Sequence, residues 1–291
     1  ILAGEHRFLI NCGEGTQRQI LKSGIGFKKL NRILLTHAHL DHILGLGGLV
    51  STFVRWEDIE ELEIWGGSAA LNRVQALLFG VVLTNQNPPV PIHLIDLEAG
   101  HIMDAREFSV SAFPVKHRGR GNFGFIFQEN TYHPFQVEKA QALGVPAGPE
   151  RGRLVKGETI TLSDGRTIAP DMVLGEAVPG TKLVHIGDIG ELRSVEQYVQ
   201  DAHALVIEST FLDVDADVAA AHGHITATQA AEFARDNGVK TLILTHISRR
   251  YGEREVIHEA RSIFPDTYVA RDFDHFIIHR DKPVEKVNKR S

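Results

Sequence analysis

Cysteine is nearly missing from this chain of 291 residues, where only Cys12 occurs. A lone cysteine cannot close an internal disulfide and cannot build a thiolate zinc cluster. With no signal-peptide pattern at the start, the expectation is a reducing, cytoplasmic setting. Long apolar runs are missing as well: no stretch approaches the roughly 18 residues that a membrane-spanning helix needs, so no membrane partner is expected. Basic charge is not in excess. Lys and Arg number 31 against 37 Asp and Glu, a net charge of −6, which excludes a uniformly basic nucleic-acid-binding surface and leaves only local patches or bound cations for such contacts. Trp and Tyr are scarce, at 2 and 4, yet His reaches 16. Imidazole is the commonest metal ligand and a frequent proton carrier, so the positions of the histidines decide the reading. A hydrophobic fraction of 43% and a charged fraction of 23% are otherwise those of a globular chain, long enough for one large α/β domain with an insertion or for two modest domains.

Short apolar runs alternate with helical patterns. Strands are expected at residues 7–10, 32–36, 62–65, 108–115, 123–127, 182–186, 204–207, 241–245, 267–270 and 276–278. Helical spacing of apolar residues covers 72–79, 192–199, 226–237 and 253–264, with Asn237-Gly238 as a stop. Such alternation implies sheets covered by helices, an α/β or layered αββα architecture. The chain opens at Ile1 without a methionine and runs straight into a strand, so an upstream segment is expected to precede it. Residues 130–179 break the rhythm with Pro, Gly and charge and read as an insertion outside the main core. Within it, Thr159 to Leu162 and the Asp164-Gly165 turn suggest a small hairpin.

His37-Ala38-His39-Leu40-Asp41-His42 follows directly on an apolar strand. Three imidazoles and a carboxylate would be costly to bury unpaired, whereas divalent zinc accepts nitrogen and oxygen donors. His117, Asp188 and His246 each lie just past another strand's C-terminal end, and in layered α/β folds such ends gather on one edge. Seven donors overfill one tetrahedral zinc but suit two metals if a carboxylate bridges them. Other histidines, among them His6, His93, His101 and His203, are expected at the surface or satisfied in the core. His185, inside a strand near Asp188, is a candidate support.

The His-x-His-x-Asp-His run with His117, Asp188 and His246 resembles the metallo-β-lactamase superfamily. Asn11 to Gln19, Gly187-Asp188, Glu208-Ser209-Thr210-Phe211, His224-Ile225-Thr226 and Leu244 to Tyr251 are similar to the successive signatures of the short-form tRNase Z family. The insertion, with Gly148, Pro149, Arg151, Arg153 and Lys156, resembles that family's flexible tRNA-gripping arm. The resemblance implies one metallo-β-lactamase domain over 1–291 with the arm at 130–179. It implies two zinc ions per chain, with His37, His39 and His117 at one, Asp41, His42 and His246 at the other, and Asp188 between them. It further implies an endonuclease acting as a homodimer on precursor tRNA, where a zinc-activated hydroxide attacks phosphorus and the 3′ trailer is released. Asp41 would be the base that orients the water, and His224, held by Glu208, the proton donor to the leaving group. Thr226 doubles as a helix cap. Three departures stand out: Asn11 where an aspartate is usual, Ile207 where a histidine is usual, and Ser209 in place of alanine. The family's first strand and an RNA-contacting loop would lie before Ile1. A small-molecule phosphodiesterase of the same fold, and a non-catalytic RNA-binding homologue, are the alternatives.

Overall fold

The chain is described from a computed structural model covering residues 1–56, 59–84, 88 and 90–287, the side chains of Val54 and Trp56 excepted. It divides into two compact units, one of residues 1–128 with 181–291 and one of Glu129–Gly180.

The larger unit is organised by two sheets. The first runs in the order β1 (Leu2–Ala3), β2 (His6–Ile10), β3 (Arg32–Leu34), β4 (Leu62–Gly66) and β5 (Ile92–Asp96), parallel from β2 onward. The second contains β6 (Gly100–Asp104), β7 (Phe108–Pro114), β8 (Phe123–Glu129), β11 (Lys182–His185), β12 (Ala204–Glu208), β13 (Leu242–Thr245) and β14 (Thr267–Val269). Its order is β14-β13-β12-β11-β8-β7-β6, with β11 to β14 parallel.

Period-two alternation explains why both sheets read as continuous apolar runs rather than as alternating ones. Ile33 and Leu35 point to one cluster and Leu34 to another; Leu242 and Leu244 likewise part from Ile243. Both faces of the central strands are therefore buried. One cluster is shared by the two sheets, through Phe8 and Leu34 on one side and Phe125, Leu183 and Ile243 on the other. A second joins the first sheet to α1 (Thr16–Ser23), α3 (Leu46–Trp56) and α4 (Ser68–Leu77), and a third joins the second sheet to α7 (Glu196–Val199), α9 (Ala227–Asp236) and α10 (Glu253–Arg261). The result is the expected αββα layering. Helix α9 buries Ala227, Ala230, Ala231 and Ala234 on one stripe, a spacing that presents a narrow apolar face. Thr226 caps it in a reciprocal pair with Gln229, as expected.

Boundaries differ where packing overrides pattern. The helix expected over 72–79 starts at Ser68 and gives way to a π turn at Leu78–Val82. Ala70 is buried and Ala69 is not, so small residues before Asn72 already carry the packed face. The segment expected as one helix over 192–199 is a 3₁₀ turn at Leu192–Val195 followed by α7. The edge strands β5 and β6 and the helices α1 and α3 were not marked by sequence pattern. Gly100–Asp104 has no buried residue and so no apolar alternation, whereas α1 is only eight residues long and meets the core through the partly buried Ile20.

The smaller unit has its own core. Helices α5 (Val137–Ala142) and α6 (Pro149–Val155) and the hairpin of β9 (Ile160–Thr161) with β10 (Thr167–Ile168) bury Ala140, Val145, Leu154, Ile160, Ile168 and Val173. The segment that reads as loop-like in composition thus folds around a compact cluster. Gly148-Pro149 opens α6, with the missing proline N–H at a position where it has no helical partner.

The site-bearing turn is locked by backbone contact. A Cβ on Gly45 would stand 1.9 Å from the Gly13 carbonyl oxygen, and one on Gly13 would stand 2.2 Å from that of Asp41. Gly45→Ala should therefore lower stability by about 1–3 kcal/mol, the usual cost of overpacking. Urea unfolding checks this, and an unchanged midpoint would contradict it.

Candidate metal centre

The expected residues converge on one edge of the larger unit. His37 and His39 follow β3, and Asp41 and His42 lie on the single-turn helix α2 (Leu40–Ile43). His117 follows β7, Asp188 follows β11, and His246 follows β13. His246 holds φ 55, a left-handed conformation costly for a residue other than glycine and a form of strain concentrated at functional sites.

Potential ligand atoms form three overlapping groups, each within 4.8 Å: His37, His39, His117 and Asp188 in one, Asp41, His42 and His246 in another, and Asp188, His224 and His246 in the third. Asp188 faces both. Its Oδ2 lies 3.5 Å from His37 Nε2 and 3.8 Å from His117 Nε2, while its Oδ1 lies 3.6 Å from His42 Nε2 and 3.7 Å from His246 Nε2. Asp41 Oδ2 stands 3.3 Å from His42 Nε2 and 3.5 Å from His246 Nε2.

Several of these atoms are buried with nothing to bond. His37 Nε2, His42 Nε2, His117 Nε2 and Asp188 Oδ1 have no hydrogen-bond partner among the described residues. Four orphaned buried atoms in one cluster would be a heavy desolvation cost without a ligand. The donor set therefore fits metal ions. Burial, reinforced by the neighbouring imidazoles, lowers His37 to about 2, and burial takes His42 to about 4. His39 and His117 are lowered too, again chiefly by burial. These imidazoles are neutral at pH 7, the form that ligates metal. Burial raises the Asp188 carboxyl to about 6; a nearby cation would reverse that.

Three of the imidazoles are oriented through their other nitrogen. His37 Nδ1 donates to Thr36 Oγ1 at 3.0 Å, His117 Nδ1 to the Gly223 carbonyl at 2.8 Å, and His246 Nδ1 to Thr210 Oγ1 at 2.8 Å. Partners of this kind fix ring orientation and raise ligand basicity. Asn11 touches none of the proposed ligands. Its Oδ1 accepts from the Thr36 N–H at 2.9 Å and its Nδ2 donates to Thr36 Oγ1 at 3.0 Å, so it acts on His37 through Thr36.

Glu208, fully buried at the end of β12, accepts from the Ile189 N–H at 2.7 Å, from the Thr210 hydroxyl and from His224 Nδ1 at 2.9 Å. Burial opposes a charge on His224, yet the Glu208 hydrogen bond and charge outweigh it and raise its pKa. By distance alone, His224 could also join Asp188 and His246 around a metal. Its Nδ1, however, is engaged by Glu208. A cavity of about 270 Å³ opens beside His224, lined also by His39, Arg118, Phe211 and Arg250. A larger open hollow of about 680 Å³ near Glu253 and Arg271 holds none of these residues, and Arg271 there pairs with Glu253 and Lys286 with Asp274.

Thr36, Thr210, Arg73 and Arg118 were not singled out from sequence. Arg73 donates to the Ala38 carbonyl at 2.9 Å and Arg118 to that of Ala221 at 2.7 Å, contacts between distant segments that only the fold reveals. Thr36 and Thr210, which adjoin His37 and Glu208-Ser209, carry a weak signal in being hydroxyls beside candidate residues. His185 is partly buried at the end of β11 with Nδ1 unpartnered among the described residues; desolvation lowers it to about 4. Ile207 belongs to the apolar core. In the smaller unit, Arg151 donates to the Val145 and Pro146 carbonyls, Arg153 pairs with Glu158, and Lys156 is exposed at the C-cap of α6.

Thr36→Val keeps the shape of the side chain and removes the oxygen that His37 Nδ1 meets. Zinc affinity in a chelator competition should fall about 10- to 100-fold, with the circular dichroism spectrum unchanged. Unaltered affinity would remove Thr36 from this role.

A family model described as a beta-lactamase superfamily domain matches residues 6–136 and 150–247. Among solved structures, the short form of human tRNase Z aligns with TM-score 0.62 and 23% identity over 94% of this chain and 88% of that one. A metallo-β-lactamase fold protein from Bacillus subtilis aligns with TM-score 0.64 and 17% identity, over 93% and 87%. At these identities both show the fold. Sequence relatives go further. Ribonuclease Z of Bradyrhizobium diazoefficiens is 47% identical, covering 95% of this chain and 91% of that protein. Ribonuclease Z of Archaeoglobus fulgidus is 38% identical over 93% and 88%. Likeness of this degree, running almost end to end in both bacterial and archaeal relatives, places the chain in the ribonuclease Z family of the metallo-β-lactamase superfamily.

Proposed function

We propose that the chain is a zinc-dependent endoribonuclease that cuts precursor tRNA at one phosphodiester and frees the 3′ trailer. The observation that carries this reading is Asp188, whose two carboxylate oxygens each face a different group of imidazoles. A carboxylate so placed suits two cations, with His37, His39 and His117 at one and Asp41, His42 and His246 at the other. Such ions would supply an activated water at neutral pH and positive charge against the phosphoryl oxygens.

The remaining steps fall to the chain's own side chains. Asp41, whose side chain is 64% exposed, accepts a hydrogen bond from the attacking water and orients it. As the water oxygen bonds to phosphorus, the bond to the ribose 3′ oxygen breaks, and that oxygen needs a proton. His224 supplies it. Glu208 holds Nδ1, so the opposite nitrogen, Nε2, delivers the proton, and the raised pKa keeps the charged donor form populated. Phe211 and Arg250, with the guanidinium 5.8 Å from the ring centroid, form a cationic, aromatic wall of the kind that receives a nucleotide.

Precursor tRNA is a long polyanion, and the chain's net charge is −6, so binding has to come from local cations. We assign part of it to the unit of Glu129–Gly180, with Gly148, Pro149, Arg151, Arg153 and Lys156 as its contact region. Arg151 and Arg153 already hold partners within that unit, which leaves exposed Lys156 as the foremost phosphate contact. A homodimer in the cytoplasm belongs to the same proposal. No described helix is long and apolar enough to cross a membrane.

Incubation of zinc-loaded protein with a precursor tRNA should yield tRNA ending in a 3′-hydroxyl and a trailer beginning with a 5′-phosphate. His224→Ala should slow this by roughly two to four orders of magnitude with zinc content intact. Loss of zinc in that variant would make His224 a ligand instead. Hydrolysis of a small aryl phosphodiester without any cleavage of precursor tRNA would replace the reading with a small-molecule phosphodiesterase.

A further inference from the structure

His224 stands between the short helix α8 (Ala216–His222) and α9, directly after Gly223. Seven residues with Ala219 alone buried are too few to hold a helix by their own propensity. Ties from other elements hold it instead. At its entry, the Tyr251 hydroxyl bonds to Asp215, and Glu259 of α10 accepts from the Asp213 N–H at 3.0 Å. At its exit, the loop after β7 reaches across: Arg118 Nη2 donates to the Ala221 carbonyl at 2.7 Å and His117 Nδ1 to that of Gly223 at 2.8 Å.

The last carbonyls of a helix have no partner within it, so Arg118 fills a vacancy that water would otherwise take. The turn it secures is a glycine-ended helix stop. Gly223 has φ 72, and the Gly223 and His224 N–H groups fold back to the Ala220 carbonyl at 3.1 Å and the Ala219 carbonyl at 2.9 Å. Arg118 therefore bonds to the turn that decides where the His224 ring begins. Its guanidinium also lines the cavity that His224 faces.

We propose that Arg118 is a positioning residue for the leaving-group proton donor: by holding the C-terminal carbonyls of α8 it fixes the Gly223 turn and with it the His224 ring. This rests on the assignment of His224 as that donor. It separates Arg118 from its loop neighbour Lys116, whose ammonium pairs with Glu191 at 2.8 Å and makes no contact with α8 among the described residues.

The test has a structural arm and a kinetic arm. In metal-free protein, Arg118→Ala should make the Gly223 and His224 amides exchange about tenfold faster or more with deuterium, while Lys116→Ala leaves them as in the parent. In zinc-loaded protein, Arg118→Ala should lower kcat for an RNA substrate roughly 10- to 100-fold, the scale of a misplacement near 1 Å, with KM within about threefold. The loss should be smaller for an aryl phosphodiester, whose leaving group needs no proton. Arg118→Lys, which keeps one donor, should recover part of the rate. Arg118→Ala combined with His224→Ala should be no slower than His224→Ala alone, because the two act as one unit.

Unchanged amide exchange would overturn the proposal. So would a raised KM with kcat intact, or additive losses in the double variant, either of which would make Arg118 a direct substrate contact. A parent protein that cleaves no RNA would instead count against the proposed function, and amide exchange would still decide whether Arg118 holds the turn.

Discussion

Everything at this site depends on one buried carboxylate. Asp188 is 4% exposed, and its two oxygens are shared between imidazoles delivered by three other strand ends. Without cations this arrangement is unfavourable. Burial pushes the carboxyl up to about 6 and His37 and His42 down, and four polar atoms are left without partners. Bound divalent ions would reverse each of these penalties together, since the neutral imidazole and the ionised carboxylate are the ligating forms. The strained φ of His246 fits the same account, because a ligand held by a metal and by Thr210 compensates a backbone conformation that isolated histidine avoids.

Around that centre the fold supplies orientation rather than chemistry. Glu208 ties the Asp188 loop, through the Ile189 N–H, to His224 and to Thr210, which in turn meets His246. One carboxylate thereby couples a proposed ligand to the proposed proton donor. Asn11, Thr36 and His37 form a second chain, neutral where a carboxylate would add charge. Arg73 and Arg118 act on backbone carbonyls of the loops that carry His39 and His224. These contacts cross the sequence by 35 and 103 residues, so the site depends on the assembled larger unit and not on any local motif.

The layered architecture was legible because the central strands are buried on both faces: runs such as Arg32 to Thr36 and Thr241 to Thr245 carry apolar residues at consecutive positions. The cluster of candidate ligands was legible because His37 to His42 concentrate four donors in six positions, and because His117, Asp188 and His246 each end an apolar run. Edge strand β6 was not legible, as an exposed strand carries no apolar period. The smaller unit read as an insertion outside the main core, and its own core was not legible because Leu154, Ile160, Ile168 and their few partners are spaced among Gly, Pro and charge. The orienting partners were hidden for a different reason. Thr, Asn and Arg acquire their roles from what lies opposite them, and a position such as Arg118 is indistinguishable in sequence from any surface cation. Asn11, marked in the sequence only as standing where an aspartate is usual, reaches His37 through Thr36.

The claim that the rest depends on is that this cluster binds two metal ions through a shared Asp188. Calorimetric titration of zinc into metal-free protein tests it most directly, run alongside Asp188→Asn. The account predicts two equivalents bound by the parent and weakened binding of both in the variant, because Asp188 serves each group. Saturation of the parent at one equivalent, or an Asp188→Asn variant that binds two ions as tightly as the parent, would contradict it.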